Sequence, residues 1–423
     1  MLEVSKIRNQ KEEIIAGLNK RNIKAEELIN KVLELDEQRR NAQRQFDEQQ
    51  AEMNKISKSI GQLFAEGKTE EGNQMRQKTA DLKENIQQLK DEQNSLEEAL
   101  KQLLYQIPNV PNTLVKQGKT PEDNEVVHEW GKEPKLYENA VPHWDLAAKY
   151  DLIDFELGVK LTGAGFPVYK GKGAIFQRAL INFFLNEAIA AGYLEIIPPH
   201  MVNEASGYGT GQLPDKEGQM YHATEDNLYL IPTAEVPITN ILRDVILRED
   251  QLPVKMAGYT PCFRREAGSY GKDVRGLNRL HQFDKVEIVQ AAHPNNSYQI
   301  LDEMVKHVQG LLEKLGLQYR ILRLCGGDMG FTSALTYDME VYSAAQQKWL
   351  EVSSISNFET YQSNRLKLRF KDKEGKTQLA HTLNGSALAL PRIVAALLEN
   401  NQTPDGIIIP KVLVPFTKFE IIN

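Results

Sequence analysis

Thr260-Pro261-Cys262-Phe263-Arg264-Arg265-Glu266-Ala267-Gly268-Ser269-Tyr270-Gly271 lies between two strand-like runs, Val254–Phe263 and Leu280–Val289. A loop rich in glycine and charge leads from it to Arg279-Leu280-His281-Gln282-Phe283-Asp284-Lys285-Val286-Glu287. The pattern is strand, long loop, strand. Alternation along the second strand sends Phe283, Lys285 and Glu287 to one face. An aromatic surface beside arginine and carboxylates suits a base, a phosphate and an amine together. Taken alone, Arg264-x-Glu266 fits an exposed strand-end ion pair better than a site.

Working outward, further short β-rich runs occur at Tyr193–Ile197, Leu228–Ile231, Tyr319–Leu324 and Leu366–Phe370. Ala174 to Ala191 has helical periodicity and ends at Gly192, a suitable C-cap. Strands and helices do not alternate regularly. The predicted fold class is therefore α+β, an antiparallel sheet flanked by helices, in preference to a Rossmann-like parallel sheet.

The N-terminal region differs in kind. No proline precedes Pro108. Val32, Leu35, Arg39, Ala42, Phe46, Gln49, Met53, Ile56 and Ile60 keep a spacing of alternating three and four. So do Met75, Thr79, Leu82, Ile86, Leu89, Gln93, Leu96, Leu100 and Leu103. That spacing predicts two coiled-coil helices. Glycines at 61, 67 and 72 allow the chain to reverse between them, giving an antiparallel hairpin about 50 Å long. By itself the segment reads equally well as a dimerisation stalk. Ile107-Pro108-Asn109-Val110-Pro111-Asn112 ends the second helix, and a polar connector is expected as far as Pro142.

The 423 residues are 41% hydrophobic and 26% charged, with a net charge of -7, so no global basic field announces a nucleic-acid partner. A local basic stripe would still suffice for phosphate contacts. Cys262 and Cys325, the two cysteines, are far apart, which argues against a disulfide scaffold and for a reducing cytoplasm. Met1-Leu2-Glu3-Val4-Ser5-Lys6 is too polar for a signal peptide, and no apolar run approaches a membrane span, so no membrane partner is expected. There is no P-loop: Gly165 to Lys172 has one residue too many before its Gly-Lys and no hydroxyl after it. Neither H-E-x-x-H nor a nucleophile elbow occurs. Any nucleotide is bound without a Walker loop.

The quoted stretch resembles motif 2 of class II aminoacyl-tRNA synthetases in its seryl form. Gly192-Tyr193-Leu194-Glu195-Ile196-Ile197-Pro198-Pro199 resembles motif 1, and Gly209-Thr210-Gly211-Gln212-Leu213-Pro214 follows it. Pro232-Thr233-Ala234-Glu235-Val236-Pro237 resembles the Thr-x-Glu serine loop, and Asn384-Gly385-Ser386-Ala387-Leu388-Ala389-Leu390-Pro391-Arg392 resembles motif 3. The resemblance spans the whole chain, hairpin included, and is to the bacterial rather than the zinc-containing archaeal form of the seryl-tRNA synthetase family.

The resemblance implies an ATP-dependent ligase that activates L-serine and charges tRNA(Ser), and tRNA(Sec) where the host has one. It implies a homodimer through motif 1 and Mg²⁺ as cofactor. Thr233, Ala234, Glu235, Arg264, Glu287, Asn384 and Ser386 match the serine positions. Arg264, Arg265, Glu266, Arg279, Phe283, Glu351, Val352, Ser353, Ser354 and Arg392 match the ATP positions. Among these, Arg264, Arg392 and Glu287 carry the catalytic roles, and Glu351 and Ser354 the metal oxygens. Gly165, Arg265 and Pro391 depart from the usual pattern.

The implied division is an arm domain over 1–107, a linker over 108–142 and a catalytic domain over 143–423. Arg39, Arg40, Arg44, Lys55 and Lys58 are the candidate tRNA contacts on the arm. Two other readings exist: a ligase loading serine or another small amino acid onto a carrier protein, and a non-catalytic coiled-coil protein on a dead synthetase domain. The first would lack the arm. The second would lack residues such as Arg264, Glu235, Glu287 and Arg392, which are present.

Overall fold

The computed structural model describes every residue except Lys216 and 268–274, so Gly268 to Gly271 of the quoted loop lie outside the described residues. The chain divides into two compact units. One comprises Leu2–Asn19 and Ile23–Pro108; the other comprises Met1, Lys20–Asn22 and Asn109–Asn423.

In the first unit, α1 (Ala25–Ala65) and α2 (Thr69–Leu104) pack antiparallel. Every residue of the two seams read from the sequence is buried or half-buried, while the residues between them are largely exposed. At 41 residues the first helix outruns the length read from the sequence, while the second, at 36, matches it; 1.5 Å per residue makes the longer one about 60 Å. Of the three glycines only Gly67 turns the chain, with φ +78°. Gly61 and Gly72 lie inside the helices. Gly72 serves packing instead, since a Cβ there would come within 2.9 Å of the Phe64 ring. The polar break at Arg39 also has a cause: Asp36, fully buried one turn earlier, takes ion pairs from Arg39 at 3.0 Å, Arg40 at 3.1 Å and Arg8 at 3.2 Å.

The second unit is built on an eight-stranded sheet. Its strands are β1 (Glu125–Trp130), β2 (Leu194–Glu195), β3 (Val254–Phe263), β4 (Gln282–Ala292), β5 (Tyr319–Arg323), β6 (Leu335–Ser343), β7 (Lys348–Glu359) and β8 (His381–Ala389). The spatial order is β1-β5-β6-β7-β8-β4-β3-β2. All neighbours are antiparallel except β2 and β3, which pair in parallel. Strand β1 falls inside the stretch read as a connector; hydrogen bonding to β5 makes that stretch the edge of the sheet. The run Leu366–Phe370 is not one strand, because a helix ends at Leu366 and a short strand covers only Arg369–Lys371. The long strands β6, β7 and β8 had no counterpart among the β-rich runs.

Helices α3 (Gly171–Ala190), α5 (Ser297–Leu315) and α7 (Leu390–Asn400) cover one face of the sheet; α4 (Glu235–Asn240) packs on β3 and β4, and α6 (Thr360–Leu366) on β7 and β8. Alternation divides each central strand between two environments. On β4, Val286 and Ile288 enter the apolar core with Phe184, Leu301 and Val394, while Phe283, Lys285 and Glu287 face a cavity. On β8, Leu383 and Ala387 enter that core while Asn384 and Ser386 face the cavity. Gly385 between them has no side chain because a Cβ would lie 2.8 Å from Ile355.

Candidate active site

A cavity of about 1000 Å³ opens against the sheet. Thr233, Glu235, Arg264, Glu266, Arg279, Phe283, Glu287, Glu351, Val352, Ser353, Ser354, Asn384, Ser386 and Arg392 all line it. Residues more than 150 positions apart thus converge on one surface. Two predicted positions do not reach it. Ala234 is buried in an apolar cluster with Ile238 and Leu366. Arg265 is exposed and contributes its backbone N–H to the Gln219 carbonyl at 2.8 Å.

At one end, Lys285 and Glu287 are almost fully buried and form an ion pair at 2.6 Å. Thr233 ties them together. Its hydroxyl accepts from Lys285 Nζ at 2.8 Å and from the Glu235 backbone N–H at 3.2 Å, and donates to Glu287 Oε2 at 3.3 Å. A buried charge pair is tolerated only when the remaining donors and acceptors are also satisfied, as here. Alternation had already put Lys285 and Glu287 together on this face.

Glu235 opens α4 and keeps part of its surface in the cavity. Its carboxyl is nevertheless crowded by protein. Burial, then the charge of Glu287, pushes its pKa up to about 7; hydrogen bonding from Gln362, the charge of Lys285 and the Asn384 amide pull the other way. Asn384 stands close enough to act on Glu235 electrostatically, but its buried Nδ2 has no hydrogen bond of normal geometry. Gln362 lay outside every motif. Nothing local marks it, since it is 127 positions from Glu235.

Arg264 follows the end of β3. Its Nε donates to the carbonyl of Pro232 at 3.2 Å, just ahead of Thr233, and its guanidinium lies 5.2 Å from the centre of the Phe283 ring. It therefore stands beside both the carboxylate cluster and the aromatic surface. Glu266 pairs with Arg279 across the strand ends. Its φ of +48° is uncommon outside glycine, and such backbone outliers cluster at functional sites.

Arg392 lies in the first turn of α7. Pro391 just before it is compatible with the helix, because a first-turn residue needs no N–H for the ladder. Arg392 donates to the carbonyls of Asn278 at 3.2 Å and Glu351 at 2.8 Å. The Asn278–Arg279 segment is braced from behind. Leu277 N–H donates to His143 Nε2 at 2.8 Å, so Nδ1 carries the ring proton and meets Glu399 Oε1 at 2.6 Å. Gln346 joins this group, donating to Glu399 at 2.8 Å and accepting from Asn278 at 2.9 Å. Gly165 has its own constraint: φ is +84°, and a Cβ there would lie 2.5 Å from the His281 ring.

Glu351 and Ser354 are three apart on β7, so plain alternation would put them on opposite faces. The pairing with β6 shifts between Met339 opposite Ser353 and Glu340 opposite Glu351. That bulge at Val352 returns both oxygens to the cavity side. Asp338 faces Ser354 across the ladder. Burial, then the charge of Glu351, holds its carboxyl well above the ordinary range, with a Ser354 hydrogen bond acting against the shift.

Residues 1–111 match the model of the seryl-tRNA synthetase N-terminal domain, and residues 219–401 match the class II tRNA synthetase core domain of the G, H, P, S and T group. The serine–tRNA ligase of Salinibacter ruber is 49% identical over 421 residues, covering 99% of this chain and 98% of that protein. The Akkermansia muciniphila serine–tRNA ligase is 46% identical over 98% of this chain and 97% of its own. A crystal structure of seryl-tRNA synthetase from Pyrococcus horikoshii complexed with ATP superposes with a TM-score of 0.93 at 32% identity, covering 100% of this chain and 99% of that one. Core, hairpin and motif order agree from end to end: the chain belongs to the seryl-tRNA synthetase family, a class II aminoacyl-tRNA synthetase with an N-terminal helical hairpin.

Proposed function

We propose that the cavity binds L-serine and ATP side by side, joins them as seryl-adenylate and passes the seryl group to tRNA(Ser). The observation that carries this reading is the sorting of charge along one wall. Glu235 and Glu287 crowd one end, Arg392 bonds to the carbonyls of Asn278 and Glu351, Arg279 pairs with Glu266, and Arg264 stands beside Phe283 with a bond to Pro232. The carboxylate end suits an ammonium and the arginine end suits phosphates.

Glu235 takes the serine ammonium, and Glu287 with Asn384 and Ser386 surrounds the hydroxyl. A site whose buried groups are completed by that hydroxyl rejects alanine, because the same groups would otherwise be left unpaired. Arg264 bridges the serine carboxylate and the α-phosphate. A carboxylate oxygen then forms a bond to the α-phosphorus and the bond to pyrophosphate breaks, so the protein supplies positioning and charge rather than a nucleophile. Phe283 offers its ring to adenine, Glu266 and Arg279 complete the nucleotide site, and Arg392 holds the terminal phosphate. In the second step a hydroxyl at the tRNA 3′ end displaces AMP from the carbonyl.

Glu351 and Ser354 would hold Mg²⁺. Two protein oxygens beside the crowded Asp338 carboxyl fit a hard cation that keeps phosphate and water as its other ligands. Among the described residues no group of three His, Cys, Asp or Glu side chains could hold a metal unaided. Bound there, the ion would offset phosphate charge.

The hairpin serves as the tRNA grip, through Arg39, Arg40, Arg44, Lys55 and Lys58, with tRNA(Sec) as a second substrate where present. Two copies pair along β2 and the residues just after it, where Leu194 is 64% and Ile197 86% exposed at the edge of the sheet. No described helix is long and apolar enough to cross a membrane, and the cytoplasm is the proposed compartment. Glu235→Ala tests the central reading: serine-dependent ATP–pyrophosphate exchange should vanish while the fold survives. Retained exchange would overturn the serine-site assignment.

A further inference from the structure

Glu235 is held by a residue outside all four motif stretches. Gln362, 1% exposed, lies in α6. Its Nε2 donates to Glu235 Oε1 at 2.6 Å and to the Thr210 carbonyl at 3.2 Å, and its Oε1 accepts from Thr382 Oγ1 at 2.8 Å. A hydroxyl on the amide oxygen and a backbone carbonyl on the amide nitrogen leave one satisfactory amide orientation. The helix around it is also tied down. Ser363 Oγ donates to the Ala380 carbonyl, and Arg365 Nη1 donates to the carbonyls of Tyr208 and Leu213, each at 3.2 Å. Gln362 is thus a fixed donor aimed at one oxygen of Glu235.

We propose that Gln362 is a positioning residue for amino-acid activation: it clamps one carboxylate oxygen of Glu235 and leaves the other facing the substrate ammonium. This rests on the reading that Glu235 receives that ammonium. The groups facing Glu235 are Glu287 and Lys285 from β4, Asn384 from β8 and Gln362 from α6. Arg264 also lines the cavity, from the end of β3. Burial and Glu287 favour the neutral acid. Of the groups that favour the carboxylate, Gln362 acts most strongly, ahead of Lys285 and Asn384. A hydrogen bond donated to a charged group has this effect because it exists at full strength only in the ionised form.

The test is serine-dependent ATP–pyrophosphate exchange by the full chain carrying Gln362→Met, followed across the neutral pH range. Losing one charge-assisted hydrogen bond should raise KM for serine about tenfold at neutral pH. The acid limb of kcat/KM for serine should move up by about one pH unit. KM for ATP, and kcat at saturating serine above that limb, should stay within about twofold. Thr382→Val keeps Gln362 but frees its oxygen, so it should shift the same limb in the same direction by less; it also decides the matter if the methionine variant does not fold. An unmoved acid limb in the folded variants, with Glu235→Ala inactive, would overturn the role of Gln362. An active Glu235→Ala would instead overturn the serine-site reading beneath it.

Discussion

Lys285 and Glu287, two residues apart on the same strand, point the same way and form a buried ion pair, with Nζ 2.6 Å from Oε2. Because strand side chains alternate, this pair needs no loop to assemble it. It supplies a fixed cation beside two carboxylates, so the wall keeps a deficit of positive charge that a substrate ammonium can make good.

Lys285→Met would leave Glu287 buried without its partner. Breaking such a pair costs about 3–5 kcal/mol. The variant should therefore unfold at lower urea concentration and lose serine-dependent exchange. Adding Glu287→Gln should recover much of the stability but none of the exchange, a combination that equilibrium unfolding and the exchange assay separate.

Glu235 gives a pH dependence of definite sign. Its carboxyl is pushed up to about 7, mainly by burial. Below that value the folded protein holds a proton there, so KM for serine should rise as pH falls through 7. Stability runs the opposite way. The folded pKa lies above the ordinary glutamate value of 4.5, so the folded state binds the extra proton between the two, and stability is lost as pH rises from 4.5 through 7. Glu235→Gln should remove that slope and make the protein more stable at pH 8, by on the order of 1–3 kcal/mol. Urea titrations of both proteins at acid and alkaline pH check this.

Deleting Val32 to Leu100 and joining the ends with a short flexible linker should leave pyrophosphate exchange intact and abolish tRNA charging. The hairpin belongs to a compact unit separate from the one that holds the cavity. Within the hairpin, Arg39 and Arg40 are partly engaged by Asp36, whereas Arg44, Lys55 and Lys58 are exposed. Alanine at all five should reduce charging about tenfold or more and flatten its salt dependence. Undiminished charging would remove these residues from the tRNA contact.

Ile197→Asp should convert the proposed dimer to a monomer, since a charge on that exposed apolar edge would have to be buried against the second copy. Sedimentation analysis reads the outcome directly. A particle of monomer mass in the parent protein would dispose of the dimer.

Much of the site was legible because its signals are local. Phe283, Lys285 and Glu287 share a face through strand periodicity alone, and the bulge beside them falls between Ser386 and Ala389 on the partner strand, leaving their parity unchanged. The hairpin seams were equally legible, since a 3.5-residue spacing is a property of one helix at a time. Ala234 and Arg265 were harder, because membership of a motif does not say which residues of it point into the cavity. Here one is packed in the core and the other turns to solvent.

The sequence by itself determined the class of sheet, the two helices of the arm and the order of the motif residues that line the cavity. Each of these follows from periodicity or from a short contiguous pattern. Only the tertiary structure decided three other things: the edge strand β1 within an apparent connector, the bulge that turns Glu351 and Ser354 to one face, and the clamp of Gln362 on Glu235. All three depend on a partner distant in the chain. A strand becomes an edge, a register slips by one, or an amide finds a carboxylate only when folding brings that partner alongside.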